Sequence, residues 1–530
     1  MYISTLDSCK SVPSHEIPIK YIKMVKSIIS PLLSETFNWC IQHGEYPTEL
    51  KIAEVIPIHK TGSQVECTNY RPISLLSPFA KIFEKIIYQR LYNYVEKNGM
   101  LTTHQYGFRC NRSTSLAIYD IHERVLAALD QKKYTCAIFL DLSKAFDTVD
   151  HRVLLWKLEH QYGIRGSPLE LFRSYLSHRK QCTRIENVTS KLLNVTCGCP
   201  QGSSLAPLFF SLYINDLPTA SKFTTKLFAD DTCLSMSSES LTDLQANVNK
   251  ELVYVDNWMR HNKLSLNTSK TTYLLFCPSK RLNTQQFSIS IGSQQIQRST
   301  ETKYLGVYID DQLKWEKHIA HVERKLAQAC GIMYKLRDYF GQQFLRIIYY
   351  SFAYPYLQYA IAAWGSGYAA SIKTLNIKHN KILRAITRSP YRCRATPLYH
   401  DLRLLKFKDI YKLEVAKLLH SFHTGALPST YNSLFTPITS VHHYNTRRAE
   451  NQNYFHPRVN TAFGTRSICH RGPKVWEDLP RDIKSLSRLS SFKKQLRLYL
   501  LRQYHPSTII SLSCPRLYQN SYNTACSPTS

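Results

Sequence analysis

The chain has 530 residues, 43% hydrophobic and 12% aromatic, a composition that excludes a largely disordered protein. Its formal net charge of +30 at pH 7 predicts a polyanionic partner, either nucleic acid or an anionic membrane surface. No apolar run reaches the roughly 18 residues of a membrane span, and the N-terminal segment lacks a signal-peptide core. We therefore expect an intracellular protein that binds nucleic acid and no membrane.

The first half of the chain alternates between helical and strand patterns. Residues 1–50 are predicted to be helical, because apolar residues recur there at steps of three and four. The next predicted elements are a strand at 53–60, a polar loop at 61–69, and helices at 78–97 and 115–129. An apolar run at 134–140, of the kind found in buried sheets, then ends at Asp141.

A second acidic position follows further along the chain. Apolar runs at 226–229 and 232–236 predict a tight hairpin whose turn is Asp230-Asp231. Such turns normally favour Asn-Gly or Asp-Gly, so two adjacent carboxylates contribute little to folding and indicate function. The alternative is an ordinary solvated acidic turn.

Together with Asp141, this turn is expected to bring three carboxylates to one edge of a sheet. Hard oxygen ligands suit Mg²⁺. Polymerases use two such ions, roughly 3.5–4 Å apart, for in-line nucleotidyl transfer. The metal-site interpretation of Asp141 with Asp230 therefore stands ahead of the structural alternative.

The second half begins with further mixed elements and then becomes strongly basic. Helices at 205–217, 241–262 and 316–339 and strands at 271–276, 287–291 and 304–309 predict an α+β fold. After residue 370 there are 26 Lys and Arg residues against 7 Asp and Glu. The stretch 371–400 has no acidic residue, which favours a surface for the nucleic-acid backbone over a solvated helix face. The expected members of that surface are Lys373, Lys378, Lys381, Arg384 and Arg388.

A series of short motifs occurs in a set order along the chain. They are Asn69-Tyr70-Arg71-Pro72-Ile73-Ser74-Leu75, Gln105-Tyr106-Gly107-Phe108-Arg109, Leu140-Asp141-Leu142-Ser143-Lys144-Ala145-Phe146-Asp147, Pro200-Gln201-Gly202-Ser203, Ile214-Asn215-Asp216-Leu217, Phe228-Ala229-Asp230-Asp231-Thr232 and Lys303-Tyr304-Leu305-Gly306-Val307. This series resembles the reverse transcriptase of non-LTR retrotransposons, most of all the jockey-type LINE elements of animals. The resemblance runs from about residue 15 to about residue 310. It continues into the tail, where Tyr444-Asn445-Thr446-Arg447 and Gly472-Pro473-Lys474-Val475-Trp476 resemble the family's C-terminal region.

The resemblance implies a right-hand polymerase with fingers, palm and thumb, an α+β fold with an extra basic, mainly helical C-terminal region. We expect a helical extension at 1–50, fingers and palm at 51–312 and a thumb-like region at 313–400. A basic C-terminal region at 401–530 is expected to be loose at its end. Family members usually carry an endonuclease domain before the polymerase, and we expect none within these 530 residues.

The resemblance also assigns roles to individual residues. It implies that Asp141 and Asp230 hold two Mg²⁺ ions, with Mn²⁺ as an alternative, and that Asp231 supports the metal site. Phe146 would lie under the incoming sugar and exclude a 2′-hydroxyl; its structural alternative is an ordinary core aromatic. The amide of Gln201 would approach the nucleotide through a tight turn.

Phosphate and primer contacts follow from the same resemblance. Lys60 and Arg71 would grip the triphosphate, with simple solvated charges as the alternative. Lys270 would protonate the pyrophosphate leaving group. The expected primer grip is Tyr304, Leu305 and Gly306.

The predicted function is an RNA-directed DNA polymerase that copies an RNA template in target-primed retrotransposition. Its partners would be template RNA, primer or target DNA, and dNTPs, within a ribonucleoprotein of the cytoplasm and nucleus. One rival is a viral RNA-dependent RNA polymerase, against which Phe146 and the Phe-Ala-Asp-Asp sequence argue. The other is a catalytically silent or domesticated fragment that only binds RNA.

Overall fold

The structure is a computed structural model that describes residues 2–279, 286–367, 369–441, 444 and 446–504. The predicted loose end of the C-terminal region falls at 505–530, outside the described residues. Among the residues described, no helix combines the length and the apolar character that crossing a bilayer requires.

Helices and strands alternate through the first 315 residues. The helices are α1 (Ile19–Met24), α2 (Lys26–His43), α3 (Pro78–Lys97), α4 (Thr114–Asp130), α5 (His151–His160), α6 (Ser167–Leu176), α7 (Ala206–Tyr213) and α8 (Leu241–His261). The strands are β1 (Ile52–His59), β2 (Tyr70–Leu75), β3 (Tyr134–Leu140), β4 (Arg179–Ile185), β5 (Val188–Thr189), β6 (Leu193–Val195), β7 (Thr224–Phe228), β8 (Asp231–Ser238), β9 (Thr272–Phe276), β10 (Ser290–Ile291), β11 (Gln294–Gln295), β12 (Gln297–Arg298), β13 (Glu301–Tyr304) and β14 (Val307–Asp310).

The described residues after 315 are helical and irregular. The helices are α9 (Glu316–Leu336), α10 (Gln342–Phe352), α11 (Tyr354–Gln358), α12 (Ile361–Trp364), α13 (Ala369–Thr387), α14 (Ala395–Asp401), α15 (Phe407–His423), α16 (Ile438–Val441), α17 (Arg447–Glu450), α18 (Ile468–Glu477), α19 (Arg481–Lys484) and α20 (Leu489–Arg502). The mixed α+β fold predicted from the sequence is confirmed.

The central sheet has the strand order β12-β9-β3-β8-β7, and β3 lies in its middle. Alternate side chains of a strand point to opposite faces, so Ala137 and Phe139 enter one core while Ile138 and Leu140 enter another. Because both faces are covered, β3 is apolar along its length. This explains why the strand could be recognised from the sequence.

A second sheet, with the order β2-β1-β4-β5 and β6 beside β4, stands next to the first. β1 and β2 are antiparallel, with His59 opposite Tyr70 and Ile58 opposite Arg71. The predicted strand at 53–60 and the loop after it are confirmed. The hairpin carries Lys60 and Arg71 at its loop end.

The C-terminal region shares a core with the central sheet. The core that covers Ala137 and Phe139 continues through α4 into α9, α13, α15, α18 and α20. α4 is therefore covered by the sheet on one side and by C-terminal helices on another.

Several predicted elements are wrong in detail. Most of residues 2–18 is not helical, the helix predicted at 205–217 is α7 (Ala206–Tyr213), and the strand predicted at 287–291 is only β10 (Ser290–Ile291). The N-terminal stripe breaks at Val25, where α1 gives way to α2, so Ile28 and Leu32 are exposed rather than facing a core. The predicted strand at 304–309 is instead the hairpin β13–β14, because Leu305 has a φ of +45° and reverses the chain with Gly306.

Candidate active site

Asp141 follows the last residue of β3, where the backbone is anchored on both sides. Its amide donates to Thr271 Oγ1 at 3.2 Å, and its carbonyl accepts from the Asn267 amide at 2.8 Å. Across the sheet, Leu140 pairs with Thr232 of β8. The turn at 267–271 and the sheet together fix the position from which the Asp141 carboxylate extends.

The β7–β8 turn differs from the sequence prediction by one residue. Phe228 pairs with Asp231, so the two central residues are Ala229 and Asp230, and Asp231 begins β8. The expected Asp230-Asp231 turn is thus wrong in register. Buried Ala229 has a φ of +56°, a conformation that glycine normally supplies at the first central position of a type II′ turn.

That backbone conformation is held from outside the hairpin. The Ala229 amide donates to Gln105 Oε1 at 3.2 Å, and the same oxygen accepts from the Gly107 amide at 2.8 Å. A Cβ on Gly107 would lie 2.6 Å from the Ala229 nitrogen, so only glycine permits this approach. The Gln105–Gly107 segment therefore supports the turn that carries Asp230.

The three carboxylates interact electrostatically. Burial raises the pKa of Asp230, and the charge of Asp141 raises it further. Partial desolvation, followed by the charges of Asp230 and Asp141, raises the pKa of Asp231 to about 6. The three carboxylates are thus near enough to influence one another's surroundings, but no group of three or more potential metal ligands is assembled among the described residues, so the metal site stays a prediction.

Lys60 and Arg71 approach the same edge from the β1–β2 hairpin. Both side chains are exposed, and both lower the pKa of Asp230 through their charge. At the loop end of the hairpin, the Lys60 amide donates a hydrogen bond to the Asn69 carbonyl at 2.8 Å. The arrangement leaves two cations facing an acidic edge.

Phe146 and Gln201 lie on two loops that are bonded to each other. The Cys199 amide donates to the Phe146 carbonyl at 2.9 Å, and the half-buried Phe146 ring packs on Phe210 with centroids 4.8 Å apart. Gln201 Nε2 donates to both carboxylate oxygens of Asp147, at 2.9 and 3.0 Å. The Ser74 amide donates to the Gln201 carbonyl at 2.8 Å, which joins this loop to the second sheet.

Asp147 is a residue that the sequence analysis missed. It stands in the motif that starts at Leu140, but the motif gave it no role. Only the folded chain shows that it orients the Gln201 amide. A 350 Å³ cavity lined by Lys144, Asp147, Lys180 and Gln201 opens beside this pair.

Lys270 and the β13–β14 turn complete the predicted site. Lys270 is an exposed residue of the 267–271 turn. The Asn267 amide of the same turn donates to the Asp141 carbonyl, so the backbone of Lys270 is close to the acidic edge. Tyr304 is buried against Phe139, with ring centroids 5.2 Å apart. The turn itself is contacted by a residue that lies between α11 and α12.

The contact to that turn comes from Tyr359. Its hydroxyl donates to the Leu305 carbonyl, and a Cβ on Gly306 would lie 3.5 Å from its ring. Gly306 has a φ of +85° and is exposed. Tyr359 is a second residue near the site that sequence reasoning missed.

The predicted basic surface lies on and after α13. Arg384 donates to the Cys393 carbonyl at 2.8 and 3.0 Å, and Arg388 Nε donates to the Arg337 carbonyl at 3.1 Å. Lys373 is exposed, whereas Lys378 and Lys381 are half-buried. Two of the five predicted residues thus also hold neighbouring backbone segments in place.

A sheet that presents carboxylates where β3 ends and β7 turns into β8, opposite two cations from a neighbouring hairpin, defines the palm of a nucleotide polymerase. Residues 58–309 match the family described as reverse transcriptase (RNA-dependent DNA polymerase). This part of the chain belongs to that family, and the resemblance seen in the motifs is confirmed.

Proteins of mobile elements are similar to this chain over most of its length. The probable RNA-directed DNA polymerase from transposon X-element of Drosophila melanogaster is 30% identical over 70% of this chain. Those from transposon BS and mobile element jockey of the same species are 29% and 26% identical over 75% and 73%. The chain spans 42–44% of the length of these relatives. A truncated apo telomerase structure from Candida tropicalis is 13% identical, with a TM-score of 0.34 over 53% of this chain and 58% of the other.

Proposed function

We propose that the chain is an RNA-directed DNA polymerase of a non-LTR mobile element. The observation that carries this proposal is the set of Asp141, Asp230 and Asp231 opposite Lys60 and Arg71. Beside burial, the charge of Asp141 raises the pKa of Asp230, and the charges of Asp230 and Asp141 raise the pKa of Asp231. Carboxylates that repel one another destabilise the fold, so their presence at one edge indicates a cationic ligand. The match of residues 58–309 to reverse transcriptases supplies the reaction.

The acidic edge fits divalent cations by its donor chemistry. Asp141 and Asp230 would hold two Mg²⁺ ions, or Mn²⁺, with Asp231 beside them, because carboxylate oxygens are the ligands these metals prefer. When bound, such ions supply charge stabilisation to the attacking and leaving oxygens of nucleotidyl transfer. The chain's own contribution is to hold these carboxylates on a sheet edge and a supported turn.

The incoming nucleotide would lie between the acidic edge and the second sheet. Lys60 and Arg71 would bind the triphosphate, Arg71 through its bidentate fork. Phe146 would stand under the sugar, and Asp147 would keep the Gln201 amide oriented toward the nucleotide. Lys270 would donate a proton to the leaving pyrophosphate.

Nucleic acid would be held on the thumb side. Of the predicted primer grip, Leu305 and Gly306 would contact the primer end, while the buried Tyr304 would anchor their turn on Phe139 and Tyr359 would support it. The basic surface would bind the backbone of template RNA and of primer or target DNA without reading their sequence. Its members are Lys373, Lys378, Lys381, Arg384 and Arg388. We place this activity in target-primed retrotransposition, within a ribonucleoprotein of the cytoplasm and nucleus.

Primer extension on a primed RNA template tests the proposal. Wild-type protein with dNTPs and Mg²⁺ should extend the primer, and Asp230→Asn should lose extension by at least about 10³-fold, because a metal ligand contributes several kcal/mol. Asp243→Asn, which changes a carboxylate at the start of α8, is the matched control and should extend normally.

Two other outcomes have distinct meanings. Ribonucleotides that enter as readily as dNTPs would remove the role given to Phe146. A folded wild-type protein that binds RNA but extends no primer would replace the proposal with a silent fragment that only binds RNA.

A further inference from the structure

One side of α4 carries carboxylates that are bonded to the C-terminal region. Asp120, Glu123 and Asp130 each have a partner more than 300 residues later in the chain, either directly or through one side chain. None of these contacts belongs to the acidic edge described above. They connect the C-terminal region to the helix that packs behind the palm.

Two of the contacts are direct caps. Glu123 accepts from the Ile468 amide at 3.0 Å and the Cys469 amide at 3.3 Å, which satisfies the first turn of α18. Asp130 accepts from the Thr461 amide at 2.8 Å and from its hydroxyl at 2.9 Å. Both contacts dock the C-terminal region onto α4.

The third contact runs through a buried tyrosine. Tyr106 donates its hydroxyl proton to Asp120 Oδ2 at 2.6 Å, and Thr430 Oγ1 lies 3.2 Å from the same hydroxyl. A tyrosine has one proton to give, so Thr430 is the donor in the second bond. Asp120 also accepts from Arg124 at 2.6 Å and pairs with Lys226 Nζ at 2.5 Å.

This network ends at the strand that carries the catalytic turn. Lys226 is a fully buried residue of β7. The Tyr106 amide donates to the Leu227 carbonyl at 2.7 Å, and the Leu227 amide donates to the His104 carbonyl at 3.0 Å. The neighbouring Gln105 accepts from the Ala229 amide inside the turn. Tyr106 is thus bonded at its hydroxyl to the C-terminal region and at its backbone to β7.

We propose that Thr430 and Tyr106 are positioning residues, through which the C-terminal region sets the placement of the turn that carries Asp230. The inference rests on the proposed polymerase function for its catalytic consequence. It assigns residues 428–441 and 446–470 to the polymerase body, in addition to any contact they make with nucleic acid.

The bond to Thr430 completes the surroundings of a buried ionic group. Asp120, Lys226 and Tyr106 are all buried, and such groups are stable only when their hydrogen bonds are complete. The Thr430 hydroxyl donates a hydrogen bond to the Tyr106 oxygen. This bond orients the Tyr106 hydroxyl so that its proton points to Asp120. Without the Thr430 hydroxyl, the Tyr106 side chain loses its bond to the C-terminal region. The Tyr106 backbone, which is hydrogen-bonded to Leu227, is then held less firmly.

The test uses the full chain with one isosteric change. Thr430→Val removes the donor and keeps the side-chain shape. We expect kcat for primer extension to fall about three- to tenfold, with unchanged KM for dNTP and unchanged RNA affinity. Hydrogen–deuterium exchange at amides 227–231 should accelerate by a similar factor. Thr430→Ser keeps the donor and should restore both values.

The matched control is Thr461→Val. It removes a hydroxyl from another contact between the same region and the same helix, at Asp130, which lies ten residues along α4 from Asp120. We expect it to leave kcat and exchange at 227–231 unchanged. Tyr106→Phe provides a second variant, because it removes both bonds of the hydroxyl and should reproduce the effect of Thr430→Val.

Each outcome decides the inference. Equal losses of kcat in Thr430→Val and Thr461→Val would mean that both contacts only dock the C-terminal region, and would overturn the inference. Wild-type kcat and exchange in Thr430→Val would overturn it as well. A wild-type protein without extension would refute the proposed function instead. The exchange measurement would still decide the inference in that case, since it does not depend on activity.

Discussion

The palm contains two sets of carboxylates in opposite surroundings. At the acidic edge, burial and mutual repulsion raise the pKa values of Asp230 and Asp231. On α4, burial also raises the pKa of Asp120, but Lys226 and Arg124 outweigh it and hold that pKa below its usual value. Burial raises the pKa of Glu123 too, but His122 and the amides at the start of α18 outweigh it, so this pKa also lies below its usual value. Carboxylates with cationic or amide partners inside the protein stabilise the fold. Carboxylates that repel one another are the ones we expect to bind an external cation.

The largest effect is expected where the partnered set is broken. Asp120→Asn leaves the buried Lys226 ammonium without its carboxylate, so we expect the free energy of unfolding to fall by about 3–5 kcal/mol. Urea denaturation measures this free energy, provided that its dependence on urea concentration (the m value) is the same in variant and wild type. Asp230→Asn is the counterpart and should cost no stability, because it removes repulsion. Equal losses in the two variants would abolish the distinction between the two sets.

The pH dependence of the acidic edge gives a smaller effect of defined sign. The pKa of Asp231 is about 6 in the folded protein, above the ordinary Asp value, so this carboxylate destabilises the fold at pH 7.5. Without divalent metal, Asp231→Asn should melt at a higher temperature than wild type at pH 7.5. The difference in melting temperature should shrink as the pH falls through 6 to 5.5, because Asp231 of the wild type then binds a proton and loses its unfavourable charge.

Thermal melts at the two pH values, with and without Mg²⁺, provide the measurement. Added Mg²⁺ should raise the wild-type melting temperature more at pH 7.5 than at 5.5, since protons compete with the metal for the same oxygens. A difference between wild type and variant that stays constant with pH would contradict the electrostatic account of this edge.

The smallest effect is expected outside both carboxylate sets. Lys373 is an exposed residue of α13, and Lys373→Gln should weaken RNA binding about two- to fivefold and lower the salt-dependence slope by about one. Unfolding and turnover at saturating RNA should not change. Lys263→Gln is the control, because Asp150 already neutralises that lysine at 2.6 Å. Binding titrations over a range of salt concentrations would show whether the surface acts as proposed.

Much of the palm could be predicted from local sequence. The helix predicted at 78–97 is α3 (Pro78–Lys97), and that predicted at 241–262 is α8 (Leu241–His261), because strong apolar periodicity marked both. The β3 strand and the acid at its end were found because a continuous apolar run marks a strand that is covered on both faces. In these elements the local pattern and the tertiary environment agree.

The errors arise where distant residues impose the backbone conformation. Ala229 and Leu305 have positive φ values that their own side chains disfavour, so no local rule places a turn there. Gln105 and Gly107 hold the first of these turns, and Tyr359 contacts the second. The pairing of Asp147 with Gln201 is also non-local and follows only from the fold.

The contacts between α4 and the C-terminal region have a consequence for the order of folding. Tyr106 and Thr430 are 324 residues apart, and Glu123 and Ile468 are 345 apart. At about 5–20 residues per second, the ribosome releases the second partner roughly 15–70 s after the first. Until then the buried ionic groups of the palm lack part of their bonding. The bonding around α4 is therefore complete only after the chain has been synthesised as far as Ile468.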